Sequence, residues 1–298
     1  MPNRPMDAGS AVVETNLHAP PFAAMSAQSL LGQPESPQPR DGPRTPSDGF
    51  YREMAPVPEL RSHVKCIWYH RVRASRELAI EAVRVLPDGC IDIVWLNGQL
   101  RVVGPDKKVR MAQLPVGTTI AGLRFRPGVA PVALGVPANA LVNHRVPLGD
   151  LWNSDVDPIE DQLHEAHSLQ EATDHLQSVV LYRLRRAPQV DQLVQRLVVA
   201  IEGGLGGRRR SIAHVADSFG IGERQLLRRC ESAIGYGPKT LERILRLQRF
   251  LTLAQHAPLG SLTRVARDLG YADQPHMTRD IVRIAGVPPS ALVADRRV

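Results

Sequence analysis

Two sets of polar side chains recur in the last third of the chain: Arg224, Gln225 and Arg228 in one, Gln274, His276, Thr278 and Arg279 in the other. Their types suit one chemistry. Arg224 and Arg228 can each donate two parallel hydrogen bonds to O6 and N7 of a guanine, and Gln225 or Gln274 can pair with N6 and N7 of an adenine. His276 shares the outward face with Gln274, while Thr278 and Arg279 lie one helical turn further on, within reach of a base edge or a phosphate. Ser211, Ser261, Lys239 and the run Arg208, Arg209, Arg210 are placed to hold phosphates, which sets register without reading sequence.

The elements that must carry these groups are written twice. Val215-Ala216 followed by Gly220 returns as Val265-Ala266 followed by Gly270, and beyond the glycine Leu226 answers Met277, Arg228 answers Arg279, Cys230 answers Ile281, Gly235 answers Gly286, and Pro238 answers Pro289. One residue has been added in the turn of the second copy. Ile212, Val215, Ala216 and Phe219 are spaced as one face of a helix with Ser211 as its N-cap, and Gly220 stops it by taking the left-handed conformation at no steric cost. A second helix from near Gly222 is expected to turn Leu226, Leu227, Cys230 and Ile234 inward and Arg224, Gln225, Arg228 and Arg229 outward. The second copy repeats this with Leu262, Val265, Ala266 and Leu269, then Gly270, then a helix from about Asp273 burying Met277, Ile281 and Ile284. Helix, tight turn and second helix form the helix-turn-helix pattern, whose second helix enters the major groove. Leu241, Ile244, Leu245, Leu247, Phe250 and Leu251 read as a shared spine, holding two reading helices on successive groove segments about 34 Å apart.

The matched pair, the Gly-x-x-Pro ends at Gly235–Pro238 and Gly286–Pro289, and the run GYADQPHMTRDIVRIAGVPPS from Gly270 resemble the DNA-binding domain of AraC/XylS-type transcription regulators, over about Val194–Val298. The resemblance implies a transcription factor that binds double-stranded DNA in the cytoplasm without a cofactor, with RNA polymerase, an unidentified small-molecule effector and a second copy of the chain as further partners. Cys230, Met277 and Ile281 stand where that family usually has Phe. All three are apolar, so the core is expected to survive the change, loosened by about 1–3 kcal/mol at each.

Charge follows the same division. The whole chain carries +7, and residues 201–298 alone hold 16 Lys and Arg against 9 Asp and Glu, so the other two hundred residues sum to zero. A basic end on a neutral module suits a polyanion partner. Three dispersed cysteines, Cys66, Cys90 and Cys230, make neither a disulfide framework nor a zinc knuckle. His164-Glu165-Ala166-His167 has its histidines three apart, not the four that put both imidazoles on one helix face for zinc. No serine elbow, phosphate loop or dinucleotide fingerprint appears, so the sequence supports no enzyme and no metal. The apolar runs are too short to span a bilayer. Two competing readings are an enzyme fused to a DNA-binding end, such as an alkyl-transfer protein, and a non-specific architectural DNA binder.

Upstream, residues 1–49 hold nine of the 25 prolines and read as a disordered Pro-rich extension. Residues 50–187 read as a β-rich input or dimerisation domain with a helical connector, and 188–298 as the double helix-turn-helix domain, the boundary falling at Ala187-Pro188. The fold class is therefore α+β: a small antiparallel barrel or sandwich with helices, then an all-α domain of two helix-turn-helix units. Strands are expected at Val64–His70, Ala82–Leu86, Ile91–Val94 with Trp95, Leu100–Val103 and Thr118–Phe125, with Asn97-Gly98 as a hairpin turn. LPDGCIDIVW, VVGP, GLRFRPG and VPLGDLW, between about Pro56 and Arg186, resemble an uncharacterised cupin-like sensory module found ahead of AraC-type domains, which implies an input role and names no ligand. Arg124 and Arg126 alternate with Leu123 and Phe125, so both are expected on a solvated outer face; the other reading has them fix an acidic effector, with Asp92 as counter-charge. Helices follow over Pro158–His167, Leu169–Arg185 and Gln192–Glu202.

Overall fold

The computed structural model describes residues 50–72, 80–203, 216–256 and 262–294, so the Pro-rich extension lies outside the described residues. The first half is an antiparallel β-structure. Strands β1 (Phe50–Met54), β2 (Val64–Arg71), β3 (Ile80–Val85), β4 (Asp92–Leu96), β5 (Gln99–Val103), β6 (Arg110–Pro115), β7 (Thr119–Phe125) and β8 (Arg145–Pro147) form a six-stranded sheet in the order β1-β2-β7-β4-β5-β8 and a separate ribbon of β3 with β6. Asn97 and Gly98 join β4 to β5, both at positive φ, as the two-residue hairpin requires. The terminal strands β1 and β8 and the ribbon strand β6 went unread in the sequence, since none alternates cleanly.

One face of the sheet is dry. Ile67, Tyr69, Ile93, Leu123 and Phe125 pack with Leu176 and Val180 of a long helix, and the Tyr69 hydroxyl meets Thr173 Oγ1 at 3.0 Å. That helix is α4 (Leu169–Arg186), preceded by α1 (Ala130–Leu134), α2 (Gly149–Trp152) and α3 (Asp157–Glu165). Ser168 caps α4 by accepting from the Glu171 amide at 3.1 Å. The histidine of α3 is spent on packing: the His164 ring meets Trp95 edge-on at 4.9 Å.

The opposite face corrects the expectation for Arg124. Arg126 is exposed, but Arg124 is four-fifths covered, because its antiparallel partner across the strands is Asp92. Its Nε and second amino group donate to Asp92 at 3.0–3.2 Å, Asp88 lies 3.2 Å away and Glu53 3.4 Å. Trp68 Nε1 donates to the same Asp92 at 3.0 Å, and the indole lies flat over Gly122, where any side chain would collide with it. Burial pushes the Asp92 carboxyl up, and Arg124 opposes that shift. A buried charge persists when it is paired and hydrogen-bonded, as this one is.

The second half comprises α5 (Gln192–Glu202), α6 (Glu223–Ile234), α7 (Pro238–His256), α8 (Leu262–Asp268), α9 (Gln274–Ala285) and α10 (Pro289–Ala294). The chain leaves α4 at Arg186, passes Pro188, and re-enters helix where Asp191 caps α5, accepting from Leu193 and Val194 amides at 3.0 and 3.1 Å. Two apolar clusters form here. Val194, Leu197, Leu226 and Cys230 surround Leu241 and Ile244 in one, while Ala266, Met277, Ile281 and Leu292 surround Leu247 and Phe250 in the other. Helix α7 supplies both, so burial of its two faces fixes the two units to one rod.

The described residues belong to a single compact unit, in which the β-structure grips both helical units. Val109 N donates to Ile284 O at 2.6 Å and Arg84 to Ala285 O at 3.1 Å, which joins the ribbon to the C-terminal end of α9. Gln248 of α7 donates to Pro87 O at 2.7 Å, and Gln195 of α5 to Pro127 O at 3.0 Å. Gly235, at the end of α6, sits so close to Pro105, Val142 and the Ala138 carbonyl that a Cβ there would come within 3.1 Å of all three.

Candidate nucleic-acid interface

The second helix of each unit is built to start and stop sharply. Gly222 precedes α6, and Asp273 caps α9 by accepting from the His276 amide at 2.7 Å, with Pro275 in the first turn where its missing N–H costs nothing. Gly235 and Gly286 end them in the left-handed conformation, with φ of 100° and 74°. The turns ahead match as well. Ile221 N donates to Ala216 O at 3.1 Å across Gly220, and Tyr271 N to Ala266 O at 2.9 Å across Gly270. The same backbone closure in both copies follows from glycine at the same place.

The faces divide by charge pairing. Leu226, Cys230, Met277 and Ile281 are fully buried, so all four belong to the core. Arg224, Gln225 and Arg228 on α6 and Arg279 on α9 are exposed, as is Lys239 at the start of α7. Among the described residues no carboxylate lies within ion-pair distance of Arg224, Arg228, Lys239 or Arg279. Three neighbouring arginines, Arg229, Arg243 and Arg246, are spent within the protein. Arg229 is a correction, since it was expected on the outer face: its Nε and amino groups donate to Asp191 at 2.7 and 2.8 Å, tying α6 to the cap of α5. Arg243 pairs with the buried Asp280, and Arg246 with Glu242 while lying over the Tyr271 ring at 5.1 Å. What remains outward are unpaired cations on the first two turns of α6 and on the second turn of α9.

The second copy holds its groups more tightly. Gln274 Oε1 accepts from Thr263 at 3.1 Å, and the His276 ring packs edge-on against Tyr271 at 5.3 Å, so Gln274, His276 and Thr278 are half-buried. Arg208, Arg209, Arg210, Ser211 and Ser261 lie outside the described residues. Leu227 is a second correction: assigned inward from its apolar character, it is 42% exposed. The repeat could have placed it, since it aligns with Thr278, which is only half-buried.

Burial raises the Cys66 and Cys230 thiols to about 12 and Cys90 well above the usual thiol range. Burial thus disfavours the thiolate form at all three. Among the described residues, no group of three metal-ligating side chains comes together and no helix is long and apolar enough to cross a membrane.

With paired turns, a shared rod and exposed unpaired cations on both helices in place, the C-terminal half is a DNA-binding helix-turn-helix domain. Residues 215–295 match the family described as a helix-turn-helix domain, and residues 52–147 match a domain of unknown function, DUF6597. The helix-turn-helix domain is of the AraC type, and the chain is a transcription regulator built on it. No curated protein matches the sequence. Solved structures similar to the chain include ToxT from Vibrio cholerae O395, at 9% identity over 77% of this chain and 96% of that one, with a TM-score of 0.43. ToxT from strain SCE256 bound to an unsaturated fatty acid aligns at 9% identity over 84% and 96%, with a TM-score of 0.41. At these values no residue role is carried across.

Proposed function

We propose that the chain is a sequence-specific regulator whose α6 and α9 read two adjacent major-groove segments. It acts in the cytoplasm by binding alone, without a cofactor or a catalytic step. Arg224, Gln225 and Arg228 read the first segment; Gln274, His276, Thr278 and Arg279 read the second; Lys239, together with Arg208, Arg209, Arg210, Ser211 and Ser261, holds phosphates. The observation that carries this reading is the exposed state of Arg224, Arg228 and Arg279, with no carboxylate in ion-pair distance, beside Arg229, Arg243 and Arg246, which are each tied to one. Cations left in water on matched helices favour an external polyanion.

The β-structure, residues 50–187, is an input domain joined to the DNA-binding domain of residues 188–298. Its ribbon holds the end of α9 and its loops hold the end of α6, so a ligand or a second copy that moved the β-structure would change the angle between the reading helices. Such coupling requires the ligand to bind the two arrangements with different affinity. RNA polymerase is the further partner that regulation implies.

The test is selection of duplexes from a randomised pool with the purified chain, followed by anisotropy titration across salt. Arg228→Ala with Arg279→Ala is expected to weaken the selected duplex by about 10- to 100-fold and to flatten the salt dependence. Unchanged affinity and slope would remove these helices from the interface.

A further inference from the structure

Leu227 is out of place as a structural residue. It leaves 42% of its surface in solvent on a helix whose other apolar residues, Leu226, Cys230 and Ile234, are almost wholly buried. Its neighbours one turn back and one residue on, Arg224 and Arg228, are the unpaired cations of the same helix. Leu227 is the fifth residue of α6, and the half-buried Thr278 is the fifth residue of α9, so the repeat places a methyl-bearing side chain at the same position twice. The contact with Gly237 steadies it: a Cβ added there would meet Leu227 Cδ1 at 2.6 Å, so any larger residue would displace the side chain.

We propose that Leu227 is a specificity residue that reads the 5-methyl group of a thymine in the first half-site; the inference rests on the DNA-reading role of α6. The thymine methyl is the one apolar group that a base edge presents in the major groove, where guanine, adenine and cytosine show only donors and acceptors. An apolar side chain beside two guanidiniums has no hydrogen bond to offer there. It gains by covering that methyl, and it leaves a cytosine amino group without a partner in its place. Arg224 and Arg228 fix guanines, and Leu227 selects the thymine beside them.

The test uses the full chain and duplexes selected from a randomised pool, with each thymine of the first half-site replaced in turn by deoxyuridine, which lacks only the methyl. At one thymine the wild-type chain is expected to lose about fourfold in affinity, the worth of one buried methyl. Leu227→Ala should bind the thymine and deoxyuridine duplexes equally, and Leu227→Thr should restore part of the difference. The Thr variant also serves should the Ala variant fold poorly, and circular dichroism of both establishes their folding. A wild-type deoxyuridine loss that persists undiminished in both variants overturns the inference while leaving the DNA-reading role intact. A pool that yields no enriched sequence overturns both.

Discussion

The grip of the β-structure on α6 and α9 can be measured by adding one methyl group at a time. Four glycines, Gly220, Gly235, Gly270 and Gly286, hold positive φ at equivalent points of the two copies. An alanine at any of them costs about 1–2 kcal/mol for the left-handed backbone. At Gly220 and Gly270 nothing lies within 4 Å of the new Cβ, so that cost is the whole effect. At Gly235 the Cβ would meet Val142 Cγ2 at 2.7 Å, Pro105 Cγ at 2.9 Å and the Ala138 carbonyl oxygen at 3.1 Å. A stiff β-branched side chain, a ring and a backbone atom cannot swing aside, so overpacking adds about 1–3 kcal/mol. Gly286 falls between, with Val109 Cγ1 alone at 3.1 Å. Urea unfolding of the full chain, followed by far-UV circular dichroism, is therefore expected to rank Gly235→Ala as most damaging, then Gly286→Ala, with Gly220→Ala and Gly270→Ala mildest and alike. The difference between Gly235→Ala and Gly220→Ala isolates the contact with the β-structure, since backbone strain is common to both. Equal losses at Gly235 and Gly220 would refute the idea that the β-structure seats against the end of α6.

Three further expectations follow from buried groups. Arg124→Ala should cost about 3–5 kcal/mol in the same unfolding assay, because it leaves Asp92 buried without its partner; replacing both with apolar residues should recover much of the loss. Burial raises the Asp191 carboxyl, but Arg229 and the Val194 and Leu193 amides more than offset this, so it titrates below the ordinary carboxylate value. That contribution is present above the unfolded value of about 3.9 and is lost as pH falls through the folded one, so Asp191→Asn should flatten the acid limb of the stability curve below about pH 4; an unchanged limb would contradict the assignment. The three cysteines should react with an aromatic disulfide reagent at the rate of unfolding, and prompt labelling of the native chain would show that a thiol is open.

The helical half was legible in the sequence because each copy constrained the other. Gly220 and Gly270, or Gly235 and Gly286, mean the same thing at the same spacing, and the apolar stripes around them have a single period. The errors came where a residue type was read without its partner across the fold. Arg124 looked like a solvated strand residue, since alternation gives a face but not what stands opposite; the pairing of β7 with β4 brings Asp92 to it. Arg229 looked outward for the same reason, its partner Asp191 lying on a segment 38 residues away. Leu227 was placed inside because it is apolar, although its counterpart Thr278 pointed the other way. The edge strands β1 and β8 carry short, mixed sequences whose strand character comes from the neighbours they pair with.

The most direct test of two helices on one rod is a hydroxyl-radical footprint on a duplex selected by the full chain. The account predicts two protected stretches about 10 base pairs apart on one face of the duplex, with Arg228→Ala removing one and Arg279→Ala the other. A single protected stretch, or both lost together on changing either arginine, would contradict it.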